Sequence, residues 1–315
     1  MSAPVVTVAV CTRNRLASLQ RTLDSLVATT PPAGWDLLVV DSACDDGTSD
    51  WLATSLPRLP VPARSAREDQ AGIARARNRA LAEARTPLLI FLDDDCTVEP
   101  GWLAAHLAAF ADPAVVGSGG RILPRLPADA PAWLRPYFSD QHGGPGGRFD
   151  FGDTDCDLPA RRAGDLPFGA NHGLRGAPAR AAGGFDPALG WGAAANLPGE
   201  ETDLMERLLA AGGRLRYVAA AVVLHHLPAG SVSEQRYLDY YRAVARLQAR
   251  RERARLARPR ARGALAWRAL RFGLLARLEG LLGHRAAAME YRRKQIFMQA
   301  RLADRLDQKR GASGP

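Results

Sequence analysis

Three adjacent carboxylates, Asp93, Asp94 and Asp95, are the residues of this sequence that point most directly to chemistry. They follow the apolar run of residues 88–92, which predicts a buried strand. Adjacent carboxylates repel one another, so such a cluster is favourable chiefly where a cation neutralises it. Side chains alternate along a strand, and Asp93 and Asp95 could therefore share a pocket that holds Mg²⁺ or Mn²⁺ through oxygen ligands. The alternative is an acidic loop that is merely solvated.

Two further groups of residues could complete such a site. His225 and His226 follow a predicted strand at residues 216–224, and imidazole is a competent ligand for Mn²⁺, although a histidine after a strand is more often structural. Glu200 and Glu201 open a predicted helix, where acids can simply complement the helix dipole. A carboxylate at a loop-to-helix junction is also suited to general-base catalysis, because burial near another acid can raise its pKa towards the working range.

Arg75 and Arg77 lie near the start of a predicted helix at residues 73–85. A helix N-terminus and guanidinium groups together attract phosphate. The alternative for either arginine is a solvated helix face. The two arginines are therefore candidate contacts to a phosphorylated ligand.

The elements that would position these residues alternate between strands and helices. Continuous apolar runs predict buried strands, and apolar residues spaced three and four apart predict amphipathic helices. The predicted strands cover residues 5–10, 35–40, 88–92 and 216–224, and the predicted helices start at residue 16 and at about residue 49 and cover residues 73–85, 100–110 and 202–211. This order predicts an α/β fold with a mostly parallel sheet, in which ligands bind at the carboxyl ends of the strands. Thr12-Arg13-Asn14 and Asp41 follow the first two strands, as the aspartates follow the third.

An irregular stretch and a helical tail complete the chain. Residues 121–163 are rich in Pro, Gly and Asp and predict a long loop, which in a compact domain is usually functional or mobile. Residues 233–308 look almost wholly helical, with interruptions predicted at Pro259 and at glycines 263, 273, 280 and 283. We therefore predict two domains, an α/β domain of residues 1–228 and a basic helical extension of residues 229–315.

The charge of the chain is unevenly distributed. The formal net charge of +9 could indicate a nucleic-acid partner. However, residues 1–230 carry 21 Lys and Arg against 26 Asp and Glu, whereas residues 231–315 carry 21 against 7. The basic excess belongs to the C-terminal segment alone and is a local surface feature.

Cysteine usage and hydropathy limit the class of protein further. The cysteines are Cys11, Cys44, Cys96 and Cys156. Their spacing fits neither a structural zinc site nor a disulfide framework. The short apolar N-terminus leads directly into polar residues, as expected of a strand and not of a signal peptide, and no stretch is long and apolar enough to span a membrane. We expect a cytoplasmic protein.

Taken in chain order, these motifs resemble those of the inverting family 2 glycosyltransferases, which have the GT-A fold. The resemblance spans about residues 5–228. It rests on the opening VTVAVCTRNR from Val6, VVDSACDDGT from Val39, GIARARN from Gly72, the Asp93-Asp94-Asp95 element as a DxD motif, FGAN from Phe168, GFD from Gly184, the Glu200-Glu201 pair and His225. It implies a Rossmann-like GT-A domain with a mixed, mostly parallel sheet, followed by the helical extension.

The resemblance also implies roles for individual residues. The donor is expected to contact Thr12, Arg13, Asn14, Asp41, Arg77, Asp93 and Asp94, with Asp41 bound to the nucleobase. The expected metal ligands are Asp95, Asp93 and His225, with His225 matching the family's histidine better than His226. Glu201 would be the catalytic base. The family's acidic pair more often ends in Asp, so whether Glu200 or Glu201 acts stays open.

The resemblance implies that a hexosyl group is transferred in a single in-line displacement. A divalent cation, Mn²⁺ or Mg²⁺, neutralises the departing diphosphate of a nucleotide-diphospho-sugar. Glu201 takes the proton of the acceptor hydroxyl as its oxygen attacks, which inverts the anomeric centre. The acceptor could be a saccharide, a lipid-linked molecule or a small molecule.

Two other classes of protein are alternatives. A nucleotidyltransferase would need a Gly-rich phosphate loop after the first strand, where Cys11-Thr12-Arg13-Asn14 has no glycine. A catalytically silent scaffold that binds sugar nucleotides would be expected to lack the DxD motif or the acidic pair, and both are present.

The basic extension has an apolar stripe of Trp267, Leu270, Leu274, Leu278 and Leu281, accompanied by arginines. Such a helix could make peripheral contact with an anionic membrane, in this case with the inner face of the cell membrane. The alternative is that residues 233–308 pack on the α/β domain or associate with a second subunit. No nucleic-acid partner is expected, because aromatic residues are sparse there and no recognition motif is present.

Overall fold

A computed structural model of the chain describes residues 5–30, 34–158, 165–193, 197–252 and 260–311, with side chains in the last range described for residues 263–303. Its contacts divide the chain into two compact units. One comprises Met1–Pro127 and Phe138–Pro228, and the other Ala128–Tyr137 and Ala229–Pro315. Ala128–Tyr137 is thus grouped with the C-terminal segment, and the predicted domains of residues 1–228 and 229–315 stay a prediction.

The first unit is built on one sheet. Its strands in the described residues are β1 (Val6–Thr12), β2 (Trp35–Ser42), β3 (Ala63–Glu68), β4 (Leu88–Asp93), β5 (Cys96–Val98), β6 (Val115–Arg125), β7 (Cys156–Asp157), β8 (Asn171–Arg175) and β9 (Arg214–His226). Their spatial order is β3-β2-β1-β4-β8-β6-β9-β5, with β7 paired to β9. Neighbours among β3, β2, β1 and β4 are parallel, as are β6 and β9, whereas β8 is antiparallel to both β4 and β6. The predicted α/β class with a mixed sheet is confirmed.

Helices cover the sheet and connect its strands. They are α1 (Leu16–Thr29), α2 (Thr48–Ser55), α3 (Ile73–Glu83), α4 (Trp102–Ala109), α6 (Gly176–Ala181) and α7 (Glu200–Ala210), with a 3₁₀ turn at Leu56–Arg58. A 3₁₀ turn at Ala132–Leu134 and helix α5 (Arg135–Ser139) follow β6 in the chain and belong for the most part to the second unit. Every residue of β1 and β2 is buried, which explains why their sequences are mostly apolar and do not alternate. In α1 the buried leucines 19, 23 and 26 have the predicted helical spacing.

Strand β3 was missed by the sequence analysis, so β4 is the fourth strand along the chain and not the third. The sequence of Ala63–Glu68 is polar, and its side chains are half-buried or exposed because β3 lies at the edge of the sheet. An edge strand needs no continuous apolar run and therefore left no strong signal.

The prediction of one long loop at residues 121–163 was wrong in part. Strand β6 extends to Arg125, and the backbone of Phe149 pairs with that of Ile122. The strand β6 is rich in glycine because it passes close to its neighbours, and glycine gives no strand signal in a sequence. A Cβ at residue 120, for example, would lie 2.4 Å from the carbonyl oxygen of Ala221. Residues 159–164 lie outside the described part of the chain.

The second unit contains three long helices, α8 (Glu234–Arg251), α9 (Arg260–Leu281) and α10 (Arg285–Gly311). Glycines 263, 273 and 280 lie within α9, so the predicted interruptions there were wrong, whereas Gly283, with φ of +78°, lies in the turn before α10. Pro259 lies outside the described residues. No helix in the described part of the chain is long and apolar enough to cross a bilayer.

Candidate active site

The predicted site residues meet at one edge of the sheet. Strand β1 is parallel to β2 and β4, and in this register Thr12 pairs with Asp41 and Cys11 with Asp93. Strand β8 is antiparallel to both β4 and β6, so β6 runs in the same direction as β4. Strand β9 is parallel to β6 and therefore shares this direction. The carboxyl ends of β1, β2, β4 and β9 therefore share the edge at which α/β proteins bind ligands.

The three aspartates point in different directions. Strand β4 ends at Asp93, and Asp94 and Asp95 form a turn before β5, so the turn and not strand alternation orients Asp95. The Asp94 side chain is buried, accepts a hydrogen bond from Thr12 Oγ1 at 2.7 Å and pairs with Arg15 Nη1 at 3.2 Å. Burial raises the pKa of Asp94 to about 6. These contacts tie the end of β1 to the turn, and donor binding by Asp94 stays a prediction.

Asp95 and His225 form a pair suited to a divalent cation. Oδ1 of Asp95 lies 3.4 Å from Nε2 of His225, while Nδ1 of His225 lies 2.9 Å from the carbonyl oxygen of Gly146. Although burial opposes protonation, the charge of Asp95 raises the pKa of His225, so the two side chains form an ion pair in this structure. The hydrogen bond from Nδ1 to the Gly146 carbonyl would leave Nε2 to face a cation once Nε2 is deprotonated, which is the orientation found for metal-binding histidines. Although burial opposes ionisation, His225 and Arg15 lower the pKa of Asp95 to about 2. A carboxylate and an imidazole are ligands that Mn²⁺ accepts.

His226 faces the other side of β9, where its Nε2 lies 2.8 Å from Thr97 Oγ1. This opposite direction follows from the alternation of side chains along a strand. The preference for His225 over His226 as the candidate ligand is therefore consistent with the geometry.

Asp93, the third predicted ligand, is engaged elsewhere. Its Oδ1 accepts a hydrogen bond from Arg77 Nη2 at 3.2 Å. Within the ranges that the structure describes, no group of three or more His, Cys, Asp or Glu side chains is arranged as a metal site. The donor set that fits a cation is thus the pair Asp95 and His225, and metal binding by Asp93 stays a prediction.

The acidic pair is held by a buried arginine. Helix α7 begins with Glu200 and Glu201, after Gly199 with φ of +108°. Arg77 on α3 is only 2% exposed. Its Nη1 donates to Glu200 Oε1 at 2.6 Å and to Glu201 Oε1 at 2.5 Å. With Asp93, one guanidinium therefore contacts three carboxyl groups, and the predicted contact of Arg77 with the donor stays a prediction.

The two glutamates have opposite pKa shifts. Burial and the charge of Glu201 raise the pKa of Glu200, whereas for Glu201 the charge of Arg77 outweighs burial and lowers the pKa. Two carboxylates that share one cation cannot both ionise easily. The proton is therefore retained by the carboxylate whose ionised form is stabilised less by its surroundings. These shifts favour ionisation of Glu201 and protonation of Glu200.

Gly169 brings the backbone against these acids. Its N–H donates to Glu201 Oε1 at 2.9 Å, and its carbonyl oxygen lies 3.0 Å from His172 Nδ1. A Cβ at residue 169 would lie 3.2 Å from Asp93 Oδ2 and 3.4 Å from Glu201 Oε1. His172 is buried and stacks on Phe91 with ring centroids 4.8 Å apart. Gly169 belongs to the FGAN segment that the family resemblance includes, whereas His172 was assigned no role from the sequence.

The loop after β1 is fastened to the loop after β2. Asn14 Nδ2 donates to Asp45 Oδ1 at 2.6 Å, and the Asp45 N–H donates to Asn14 Oδ1 at 2.9 Å. Asn14 has φ of +52°, a left-handed conformation that asparagine tolerates. Arg13 and Asn14 are exposed, whereas Thr12 is buried. The loop thus presents Arg13 and Asn14 to solvent at the predicted nucleotide end of the site.

Asp41 is a buried carboxylate with several donors. Oδ1 accepts from the Cys44 N–H at 2.8 Å, and Oδ2 accepts from Ser49 Oγ and, at 2.8 Å, from Arg67 Nη1. Burial opposes ionisation, but these hydrogen bonds and the charge of Arg67 lower the pKa of Asp41. Arg67 was missed by the sequence analysis because it lies on β3, the strand that left no signal.

Comparison with known proteins agrees with this geometry. The sheet order and the acidic edge define a GT-A fold. The family model described as glycosyl transferase family 2 matches residues 7–153. The chain belongs to this family, as the sequence resemblance predicted.

Relatives of this chain include named glycosyltransferases. It is 31% identical over 231 residues to the pre-mycofactocin glycosyltransferase of Mycobacterium tuberculosis strain H37Rv, which covers 70% of this chain and 42% of the relative. It is 35% identical over 112 residues to the validoxylamine A glucosyltransferase of Streptomyces hygroscopicus subsp. limoneus, which covers 35% of this chain and 25% of the relative. The chain thus spans less than half the length of these relatives.

Solved structures with this fold include two determined with Mn²⁺. GalNAc-T7 with UDP, GalNAc and Mn²⁺ has a TM-score of 0.56 and 16% identity, covering 76% of this chain and 47% of the other. The mannosyltransferase PcManGT from Pyrobaculum calidifontis, in complex with GDP-Man and Mn²⁺, has a TM-score of 0.59 and 19% identity. The match covers 97% of this chain and 87% of the other. At these identities the likeness shows the fold.

Proposed function

We propose that this chain transfers a hexosyl group from a nucleotide-diphospho-sugar to an acceptor hydroxyl, with inversion and with the help of Mn²⁺ or Mg²⁺. The proposal rests mainly on the buried network in which Arg77 binds Glu200, Glu201 and Asp93. The network supports the proposal because Glu201, whose pKa is lowered, lies close to Asp93 at the end of β4. The family membership and the named relatives support the same reaction.

Glu201 is the proposed general base. Its Oε1 is fixed by two donors, Arg77 Nη1 and the Gly169 N–H, which together orient the carboxylate. In its ionised form it can take the proton of the acceptor hydroxyl as the acceptor oxygen attacks the anomeric carbon. Glu200, protonated and held by the same arginine, supports the position of Glu201 and is not the proton acceptor.

Asp95 and His225 are the residues proposed to hold the cation. When bound, a divalent cation supplies positive charge that stabilises a departing diphosphate. Gly146 fixes the His225 ring, and Arg15 Nη1, 2.9 Å from Asp95 Oδ2, neutralises the carboxylate in this structure. The presence of Mn²⁺ in the two related structures supports a cation here.

Thr12, Arg13, Asn14 and Asp41 are proposed to hold the nucleotide, since they lie at the ends of β1 and β2. The donor base and sugar are left open, as is the acceptor, which can be a saccharide, a lipid-linked molecule or a small molecule. A catalytically silent scaffold is disfavoured, because a buried acidic pair with split pKa values is costly to maintain and serves proton transfer.

The proposal is tested by release of nucleotide from UDP-, GDP- and dTDP-sugars in the presence of Mn²⁺. An active transferase hydrolyses its donor slowly even without acceptor, so at least one donor should yield nucleotide, and Glu201→Gln should reduce the rate. Tight binding of a sugar nucleotide with no turnover in any acceptor mixture would overturn the proposed reaction in favour of a binding scaffold.

A further inference from the structure

Helix α9 is apolar on two opposite faces. The inner face contains the buried residues Leu265, Ala269 and Ala276. It packs on α10, where Phe272 and Tyr291 stack with ring centroids 6.3 Å apart. The two helices also approach closely at Gly273, where a Cβ would lie 2.6 Å from the amide nitrogen of Gln295 on α10.

The outer face of α9 has a second row of large apolar side chains, which we call the outer stripe. Its members and their exposed fractions are Trp267 (60%), Leu270 (62%), Leu274 (57%), Leu278 (51%) and Leu281 (87%). The spacing of three and four residues aligns them along one side of the helix, about opposite to Leu265, Ala269 and Ala276. A contiguous exposed apolar row of this length marks an interaction surface.

Arginines flank the outer stripe. Arg271 lies over the ring of Trp267, with its guanidinium carbon 5.5 Å from the ring centroid. Arg277, one residue before Leu278, is exposed as well. Arginine side chains beside an apolar row can place their apolar stems along it while their charged heads contact phosphate.

The charge of the segment distinguishes between two occupants of this surface. Residues 231–315 carry 21 Lys and Arg against 7 Asp and Glu. Association of two copies through the outer stripe would bring two strongly basic segments together, whereas an anionic lipid surface supplies the opposite charge. Charge complementarity therefore favours a membrane over a second copy.

We propose that the outer stripe is a docking surface for an anionic membrane. Trp267 and the four leucines enter the interfacial region of the bilayer, α9 lies parallel to the surface, and Arg271 and Arg277 contact lipid phosphates. This surface is separate from the residues proposed to carry out sugar transfer, so the two proposals can fail independently.

The test is co-sedimentation of the whole chain with phosphatidylcholine vesicles, with and without phosphatidylglycerol, at low and high salt. The wild-type chain should bind the phosphatidylglycerol vesicles, and the double variant Leu274→Ser/Leu278→Ser should bind about tenfold more weakly because two inserted side chains are lost. The charge variant Arg271→Glu/Arg277→Glu should lose most of the salt-sensitive binding. Val5→Ser is the matched control, since Val5 is an exposed apolar residue of the first unit.

A residue-specific readout separates insertion from loose electrostatic contact. Brominated phosphatidylglycerol should quench part of the tryptophan fluorescence, and the quenched part should disappear in Trp267→Phe. The serine variants change exposed side chains, so thermal unfolding and nucleotide release should match the wild type.

Two outcomes would overturn the docking proposal. One is equal vesicle binding by the wild type and by Leu274→Ser/Leu278→Ser, or no binding by either. The other is a wild-type oligomer in sedimentation velocity that the double variant dissociates without any effect of lipid, which would assign the outer stripe to a second copy.

Discussion

Nη1 of Arg77 lies 2.5 Å from Oε1 of Glu201, and both side chains are buried. This ion pair joins α3 to α7 and also includes Glu200 and Asp93. A buried cation among three carboxylates stabilises a cluster that would otherwise repel itself, and it decides which carboxylate stays ionised. The stability of the first unit and the chemistry of the site are therefore linked through Arg77.

Replacement of Arg77 by methionine should strongly destabilise the first unit. The change leaves the buried acids Glu200 and Glu201 without their cation, and loss of one partner of a buried pair costs about 3–5 kcal/mol of unfolding free energy. Urea unfolding measures this loss. The matched control is Arg79→Met on the same helix, where an exposed arginine pairs with Glu83 at 2.9 Å and the expected change is below about 0.5 kcal/mol. Equal effects of the two variants would show that the buried network adds nothing to stability.

Glu201→Gln and Glu200→Gln should have very different effects on turnover. Glutamine resembles a protonated glutamate, which is the form that the raised pKa of Glu200 favours, so Glu200→Gln should retain most activity. Glu201→Gln removes the ionised base and should reduce kcat by about 10²–10⁴-fold while donor binding persists. Steady-state kinetics together with calorimetric donor binding provide the measurement. The reverse order of the two variants would assign the base to Glu200.

His225→Gln should raise the Mn²⁺ concentration needed for half-maximal turnover by at least about tenfold, because it removes the proposed nitrogen ligand. His226→Gln is the control, since its ring contacts Thr97 on the other side of β9. A Mn²⁺ titration of nucleotide release compares the two. A shift of the midpoint in His226→Gln but not in His225→Gln would contradict the proposed ligand.

The fold should lose stability in mild acid through two buried histidines. Burial lowers the pKa of His106 to about 4 and, with the charge of Arg77, that of His172 to about 3. Below about pH 6.5 the unfolded chain binds protons that the folded chain does not, so stability present at neutral pH is lost as the pH falls from about 6.5 towards 4, by about 1.4 kcal/mol per pH unit for each histidine. Thermal unfolding between pH 7.5 and 4.5 measures this slope.

The slope should become shallower in His106→Gln, which cannot take up a proton. His284→Gln is the control, because His284 is exposed and lies in the helical unit. An unchanged slope in His106→Gln would show that His106 is not responsible for acid lability.

Much of the first unit could be predicted from the sequence, because β1, β2 and β4 are buried and therefore mostly apolar. The aspartates after β4 and the glutamates of α7 were identifiable since both stand where a strand ends or a helix begins. Strand β3 was not, because an edge strand can be polar, and Arg67 was lost with it.

Contacts between distant segments were beyond sequence reasoning. Arg77 and Glu200 are 123 residues apart in the chain, so a solvated helix face remained an equal interpretation of the arginine. The position of Asp95 depends on a turn, which side-chain alternation along a strand does not describe. Gly169 contributes its backbone, and a backbone N–H carries no mark in the sequence.

The central claim, that a divalent cation at Asp95 and His225 holds the diphosphate of a sugar nucleotide, is tested most directly by calorimetric donor binding with Mn²⁺ and with excess chelator. We predict binding at least about tenfold tighter with Mn²⁺, lost in Asp95→Asn, together with turnover that requires the metal. Equal binding and equal turnover in excess chelator would contradict the account.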